Sequence, residues 1–240
     1  MNKKDKKKNL RALTPEEVQK TIGSGLSFGA AEAYKLLRTN LDFSLPDESG
    51  CKVIGVTSPL PGEGKTTTSI NISYTIAQSG KQVLLIEGDL RLPAIHKYLP
   101  VHTKPGLSNL LAGKCSGNEV LQRSGLLKNL WVMNAGDIPP NPAELLGSTQ
   151  MAQTMQAMKS CFDVIIVDLP PVTVVSDAII ISKLTQGMVV VVRQDYCDRT
   201  AVNETVRKLK FADAKILGFV MTGSDIQKKR YSNHYYKKID

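Results

Sequence analysis

The sequence predicts an α/β protein: a doubly wound, mostly parallel sheet with helices on both faces. Six short runs rich in Val and Ile carry this reading, at Val53 to Val56, Val83 to Ile86, Leu130 to Met133, Val164 to Val167, Met188 to Val192 and Ile216 to Met221. They are apolar at nearly every position, as strands covered on both faces must be. The segments between them are long enough for helices, which is the alternation a parallel sheet needs for its crossovers. The chain has 240 residues, of which 42% are hydrophobic, enough for one large domain with a full core and no internal repeat.

Taken in order, residues 1–27 form a basic segment with a short helix and a linker. Thr14-Pro15-Glu16-Glu17 is a capping box with Pro at the first helical position, so a helix should begin there. Gly23-Ser24-Gly25 reads as a flexible connection. Residues 28–224 are the predicted domain. It opens on a helix from Ala30 to Phe43, where Tyr34, Leu37 and Leu41 fall at helical spacing, and continues through the six strands. Residues 225–240 are a basic tail that contains tyrosines.

The net charge of +9 suggests a nucleic-acid binder until the charges are located. Residues 1–11 hold six Lys/Arg and one Asp, and residues 226–240 hold five against one, so the two ends account for the whole excess. The body is balanced at 20 basic and 20 acidic residues, and no nucleic acid is expected as a partner. The ends read either as solvated tails or as contacts to an anionic membrane face. No apolar stretch approaches the roughly 18 to 20 residues of a membrane span, and no apolar signal region follows the first lysines. Cys51, Cys115, Cys161 and Cys197 lack the paired spacing of a zinc site or a disulfide framework, which fits reduced thiols in a cytoplasmic protein.

Chemistry enters at Pro61-Gly62-Glu63-Gly64-Lys65-Thr66, directly after the first apolar run. A strand feeding a glycine-rich turn and then a helix aims backbone N–H groups and the positive helix end at one spot, where a polyphosphate can sit. Gly62 and Gly64 permit the backbone angles and the close approach. Lys65 would reach the β- and γ-phosphates, and Thr66, followed by Thr67, would offer a hydroxyl to Mg²⁺. Pro59 stands where the usual pattern opens with Gly, so a chance glycine-rich turn is the competing reading.

Two other predicted strands run into acids. One is followed by Glu87-Gly88-Asp89-Leu90-Arg91, the other by Asp168-Leu169-Pro170-Pro171. One acid at a strand end is usually a helix cap or a solvated turn residue. Three of them, in a chain with a phosphate loop, match the parts that phosphoryl transfer requires: metal-holding oxygens, positive groups for the phosphates, and a group that orients the attacking oxygen.

Together, Pro61 to Thr66, Leu85-Ile86-Glu87-Gly88-Asp89-Leu90-Arg91 and Ile165-Ile166-Val167-Asp168-Leu169-Pro170-Pro171 resemble the Walker A, A′ and B motifs of the bacterial tyrosine kinases of capsular and exopolysaccharide synthesis. Gly106 to Leu111 and Pro139 to Leu146 are similar to further family segments, and the likeness runs from about Phe28 to the end. It implies a P-loop fold of the ParA/MinD type and an ATP- and Mg²⁺-dependent protein tyrosine kinase. On this resemblance Lys65 and Thr66 bind phosphate and metal, Asp89 and Asp168 help hold Mg²⁺, Glu87 orients or deprotonates the tyrosine hydroxyl, and Arg91 assists the phosphates. Glu32, Lys35 and Arg38 lie in a stretch similar to the family's ring-forming helix. Tyr231, Tyr235 and Tyr236, three tyrosines within six positions of a basic tail, become acceptors phosphorylated by a neighbouring subunit. From the residues alone that cluster reads equally as a last ordered segment or a base-stacking patch. The resemblance further implies a transmembrane activator that holds the chain at the inner face of the membrane, a ring-shaped homo-oligomer, protein tyrosine substrates and a cognate tyrosine phosphatase.

Four positions depart from the family pattern. Glu87 replaces Asp and extends the carboxylate by one methylene, which is expected to lower the rate. Leu169 replaces Thr, Lys35 replaces an Arg, and Thr222 stands where an Asn is common. Two rival readings follow: a positioning ATPase of the MinD/ParA kind, and a nucleotide-binding scaffold without catalysis. The extra lysine that marks the positioning ATPases is absent from Leu60-Pro61-Gly62.

Overall fold

All six apolar runs are strands, and the computed structural model, which describes residues 14–45 and 50–223, arranges them with one short addition into a single seven-stranded sheet. The strands are β1 (Lys52–Thr57), β2 (Val83–Glu87), β3 (Gln122–Arg123), β4 (Leu130–Met133), β5 (Val164–Asp168), β6 (Gly187–Arg193) and β7 (Ile216–Thr222), in the spatial order β3-β4-β2-β5-β1-β6-β7. Six of them are parallel, and β3 alone runs antiparallel, against β4. This is the fold of the P-loop nucleotide-binding proteins. The basic ends, with Tyr231, Tyr235 and Tyr236, lie outside the described residues.

The helices are α1 (Pro15–Gln19), α2 (Phe28–Ser44), α3 (Lys65–Ala77), α4 (Leu107–Leu111), α5 (Gly117–Val120), α6 (Pro142–Leu146), α7 (Thr149–Lys159), α8 (Asp177–Ser182) and α9 (Arg199–Phe211). Two apolar cores result, one on each face. Ile70, Ile72 and Ile76 of α3 and Leu41 of α2 pack on one side with Ile54, Val56, Leu85 and Ile166. Residues of α4 to α9, among them Leu107, Leu146, Met151, Ala178 and Leu209, cover the other with Ile86, Ile165 and Met188. Each large aliphatic side chain buried this way contributes about 1.5–3 kcal/mol relative to exposure.

The capping box of α1 forms as expected, with the Thr14 hydroxyl and the Glu17 carboxylate each accepting the other's backbone N–H. The Gly23-Ser24-Gly25 stretch is not a free linker. It is a 3₁₀ turn whose buried Gly23 N–H donates to Asn71 Oδ1 of α3 at 2.9 Å, while Asn71 Nδ2 donates to the Thr21 carbonyl. Trp131 of β4 is half-buried, and the Arg123 guanidinium of the edge strand β3 lies 3.7 Å over its ring.

The register sets up the site. β2, β5 and β1 are neighbours at the middle of the sheet, so their C-terminal ends deliver Glu87, Asp168 and the turn after Thr57 to one place.

Candidate active site

Between β1 and α3 the chain forms a tight turn in which Gly62 and Gly64 take φ of +79° and +88°. A side chain at either position would be strained. At Gly64 an added Cβ would also press within 3.4 Å of the Thr67 hydroxyl. Gly64 stands just before α3 and has no side chain to cap it, so the first-turn N–H groups of this thirteen-residue helix are left without a capping side chain, as an anion site requires. The turn is anchored from behind. Thr57 Oγ1 donates to the Pro170 carbonyl at 2.7 Å, Thr173 Oγ1 to the Pro59 carbonyl at 2.6 Å, and Thr222 Oγ1 to the Glu63 carbonyl at 2.7 Å. Pro59, the departure from the usual glycine, thus serves as an acceptor for the segment after β5.

Lys65 and Thr66 begin α3 and point at the acids. Lys65 Nζ lies 3.1 Å from Asp89 Oδ2 and 3.9 Å from Asp168 Oδ2. Thr66 Oγ1 donates to Asp168 Oδ2 at 2.7 Å. One helical turn on, Ser69 Oγ donates to Asp168 Oδ1 at 3.0 Å, a partner that motif reading missed although its spacing from Thr66 puts it on the same face. Burial raises the pKa of Asp168 by more than Lys65, Thr66 and Ser69 lower it. For Lys65, burial favours the neutral amine, but Asp168, Asp89 and Glu87 outweigh it and hold the ammonium charged.

Glu87 stands beside Asp168 across the β2–β5 pair. Its Oε1 accepts the N–H groups of Ala94 and of Ile95, the latter at 2.8 Å, and Oε2 is buried with no hydrogen-bond partner among the described residues. Burial pushes this carboxyl up to about 7; the two N–H donors oppose the shift, Asp168 adds to it, and Lys65 subtracts. The longer Glu side chain is used here to reach the backbone of Ala94 and Ile95. Leu169, the other departure, is fully buried and lies against Gly88: a Cβ there would meet Leu169 Cδ2 at 2.8 Å.

Arg91 is drawn elsewhere. Its guanidinium makes a two-pronged bond to the buried Asp177 at the start of α8, at 2.9 and 3.2 Å, a partner the sequence did not signal. On α2, Glu32 and Lys35 form an exposed pair at 2.7 Å, and Arg38 donates to the Thr75 carbonyl at the end of α3 at 2.9 Å. Arg38 therefore ties α2 to the body of the chain.

The donor set suits a phosphate-bound Mg²⁺. Among the described residues no three acids, histidines or cysteines are grouped to cage a metal. One hydroxyl and one carboxylate beside an anion-binding turn is instead what Mg²⁺ uses when phosphates and water complete its shell.

The AAA domain family matches residues 51–216. The chain is 36% identical over 208 residues to the tyrosine-protein kinase YwqD of Bacillus subtilis, covering 87% of each. It is 36% identical over 200 residues to the putative tyrosine-protein kinase EpsB of Ralstonia solanacearum, covering 83% of this chain and 26% of that one; the chain therefore spans about a quarter of that longer relative. The kinase domain of the Escherichia coli tyrosine kinase ETK superposes with a TM-score of 0.78 at 34% identity, over 86% of this chain and 79% of that one. The chimerical protein CapA2B2 gives 0.76 at 29%, over 87% and 98%. The septum site-determining protein MinD of Pyrococcus horikoshii, complexed with Mg-ADP, shares the fold at a TM-score of 0.59 and 21% identity, over 71% and 70%.

Proposed function

The chain belongs to the bacterial tyrosine-protein kinases, and from that premise we propose that it transfers the γ-phosphoryl group of ATP to tyrosine hydroxyls, beginning with Tyr231, Tyr235 and Tyr236 of a neighbouring copy. The observation that carries this reading is the convergence of Lys65, Thr66, Asp89 and Asp168 on one spot, with the Glu87 carboxyl, pushed up to about 7, beside them. A base with its pKa near working pH is both available in its charged form and able to take a proton.

Each residue then has a role. The N–H groups from Gly62 to Thr67 and the Lys65 ammonium bind the phosphates and spread the charge of the transferring group. Thr66 and Asp168 would hold Mg²⁺, with Asp89 near enough through Lys65 to share that charge; the ion supplies neutralisation of the phosphate oxygens. Glu87, its Oε1 fixed by two backbone donors, turns Oε2 to the tyrosine hydroxyl and accepts its proton. Arg91, paired with Asp177, steadies the strand end that carries Asp89 and reaches the phosphates only by giving up that pair.

The wider reading places the chain at the inner face of the membrane through a transmembrane activator, and the likeness to the chimerical CapA2B2 supports a two-component arrangement. No helix among the described residues is long and apolar enough to cross a membrane. Association into a ring through Glu32, Lys35 and Arg38, reversal by a cognate phosphatase, and control of capsular or exopolysaccharide synthesis complete it.

The test is to incubate the purified chain with ATP, Mg²⁺ and the activator's cytoplasmic segment, then map phosphate by mass spectrometry. Phosphotyrosine at Tyr231, Tyr235 or Tyr236 that disappears in Lys65→Met supports the kinase. Inorganic phosphate without phosphotyrosine points to a positioning ATPase, and neither product to a scaffold.

A further inference from the structure

The phosphate turn is held on its outer side by a tyrosine. After β6 the chain turns through Gln194 to Asp198, and the Tyr196 hydroxyl donates to the Pro61 carbonyl at 3.0 Å. Arg193 donates to the neighbouring Gly62 carbonyl at 3.4 Å and sets its guanidinium 5.6 Å from the centre of the Tyr196 ring. Two side chains from one short segment therefore tie down two successive carbonyls of the turn that must present its N–H groups to phosphate. Tyr196 is also reachable. Of the tyrosines among the described residues, Tyr74 is buried, Tyr34 and Tyr98 are half-buried, and Tyr196 is exposed, at 45%.

We propose that Tyr196 is a second phosphoacceptor, and that its phosphorylation by another copy loosens the phosphate turn and lowers nucleotide affinity, so that the enzyme limits itself. This inference rests on the kinase reading above. In the transfer step, Tyr196 Oη bonds to the γ-phosphorus of ATP held by the second copy, and its proton passes to that copy's Glu87 carboxylate. The bond from the γ-phosphorus to the bridging oxygen breaks, and its electron pair leaves with ADP.

The consequence follows from the contacts. A phosphotyrosine has lost its O–H donor and carries about −1.5 to −2 charge with acceptor oxygens only. The bond to the Pro61 carbonyl becomes a repulsion between two acceptors. Arg193, whose guanidinium already lies beside the ring, pairs with the new phosphate, which withdraws it from the Gly62 carbonyl. Both ties are lost in one step, and the added negative charge stands beside the turn that binds the phosphates of ATP.

Two measurements on the full chain test this. The first maps phosphate after incubation with ATP, Mg²⁺ and the activator's cytoplasmic segment, in a variant whose tail tyrosines are changed to Phe and in the parent. The second installs phosphotyrosine at position 196 by amber suppression and measures the affinity for a fluorescent ATP analogue before and after a tyrosine phosphatase. Phosphate on Tyr196 and an affinity lowered about tenfold or more, restored by the phosphatase, is the expected result. Tyr196→Phe, which loses one hydrogen bond, should stay within about fivefold of the parent affinity. Tail phosphotyrosine with an unmodified Tyr196 overturns the inference and leaves the kinase standing. An unchanged affinity with phosphotyrosine installed overturns the control. Absence of phosphotyrosine everywhere overturns the kinase reading and the inference with it.

Discussion

Glu87 and Asp168 face each other as register partners at the C-terminal ends of β2 and β5, two buried carboxyls held apart in role by what surrounds them. Asp168 takes hydroxyl hydrogen bonds from Thr66 and Ser69 and has Lys65 at 3.9 Å. Glu87 takes two backbone N–H groups on one oxygen and leaves the other unpartnered among the described residues. On the function proposed above, the first arrangement serves to hold a metal and the second to accept a proton.

A stability effect follows from Glu87 alone. Its folded pKa of about 7 lies above the ordinary value of 4.5, so the folded chain binds the proton more tightly than the unfolded one. Stability therefore falls as pH rises through that window, and the penalty is fully present above about 7 and absent below the ordinary carboxylate range. Glu87→Gln removes the charge, so by differential scanning calorimetry it should be more stable than the parent at pH 8, by on the order of 3 kcal/mol, with the gap closing by pH 4.

Arg91 divides two roles that the sequence could not separate. If its main partner is the buried Asp177, Arg91→Ala leaves that carboxylate unpaired and lowers stability by about 1–3 kcal/mol, tempered because the guanidinium is partly exposed. A fall in Tm of several degrees in nucleotide-free protein is the expected outcome, with Arg91→Lys recovering only part of it because it lacks the planar fork. An unchanged Tm together with weakened ATP binding assigns Arg91 to the phosphates instead.

Gly64→Ala forces a left-handed backbone on a residue with a Cβ, at a cost of about 1–2 kcal/mol, and crowds the Thr67 hydroxyl. Nucleotide affinity by isothermal titration should fall at least tenfold while the far-ultraviolet circular dichroism stays that of the parent.

Asp168→Asn keeps the shape of the side chain and one of the two oxygens that accept from Thr66 and Ser69, but removes the charge that faces Lys65 and a metal. ATP affinity should lose its Mg²⁺ dependence, so that curves with and without Mg²⁺ coincide, whereas the parent binds at least tenfold more tightly with the ion.

Much of this was legible because it is local. A strand covered on both faces announces itself as an apolar run, and all six such runs became strands; β3, two polar residues long, carries no period and went unseen. The phosphate turn and the acids were legible for the same reason, since each sits within a few residues of a strand end. Ser69 was readable from its spacing to Thr66 and was passed over, but Asp177 on Arg91 and Tyr196 on Pro61 were not legible, because each joins segments that only the sheet order brings together. Gly23 shows the reverse error: a glycine–serine stretch looks like a linker, yet Asn71, 48 residues away, holds it in place.

The most direct measurement is the single-turnover rate of phosphotyrosine formation against pH, in the parent and in Glu87→Gln, at saturating ATP and Mg²⁺. With Glu87 as the base, the parent rate rises with pH, passes half its maximum near 7 and levels off above it, while Glu87→Gln is slower by about 10²–10⁴ and flat across the same range, with ATP affinity retained. A Glu87→Gln enzyme that keeps the parent's rate and its pH profile contradicts the assignment.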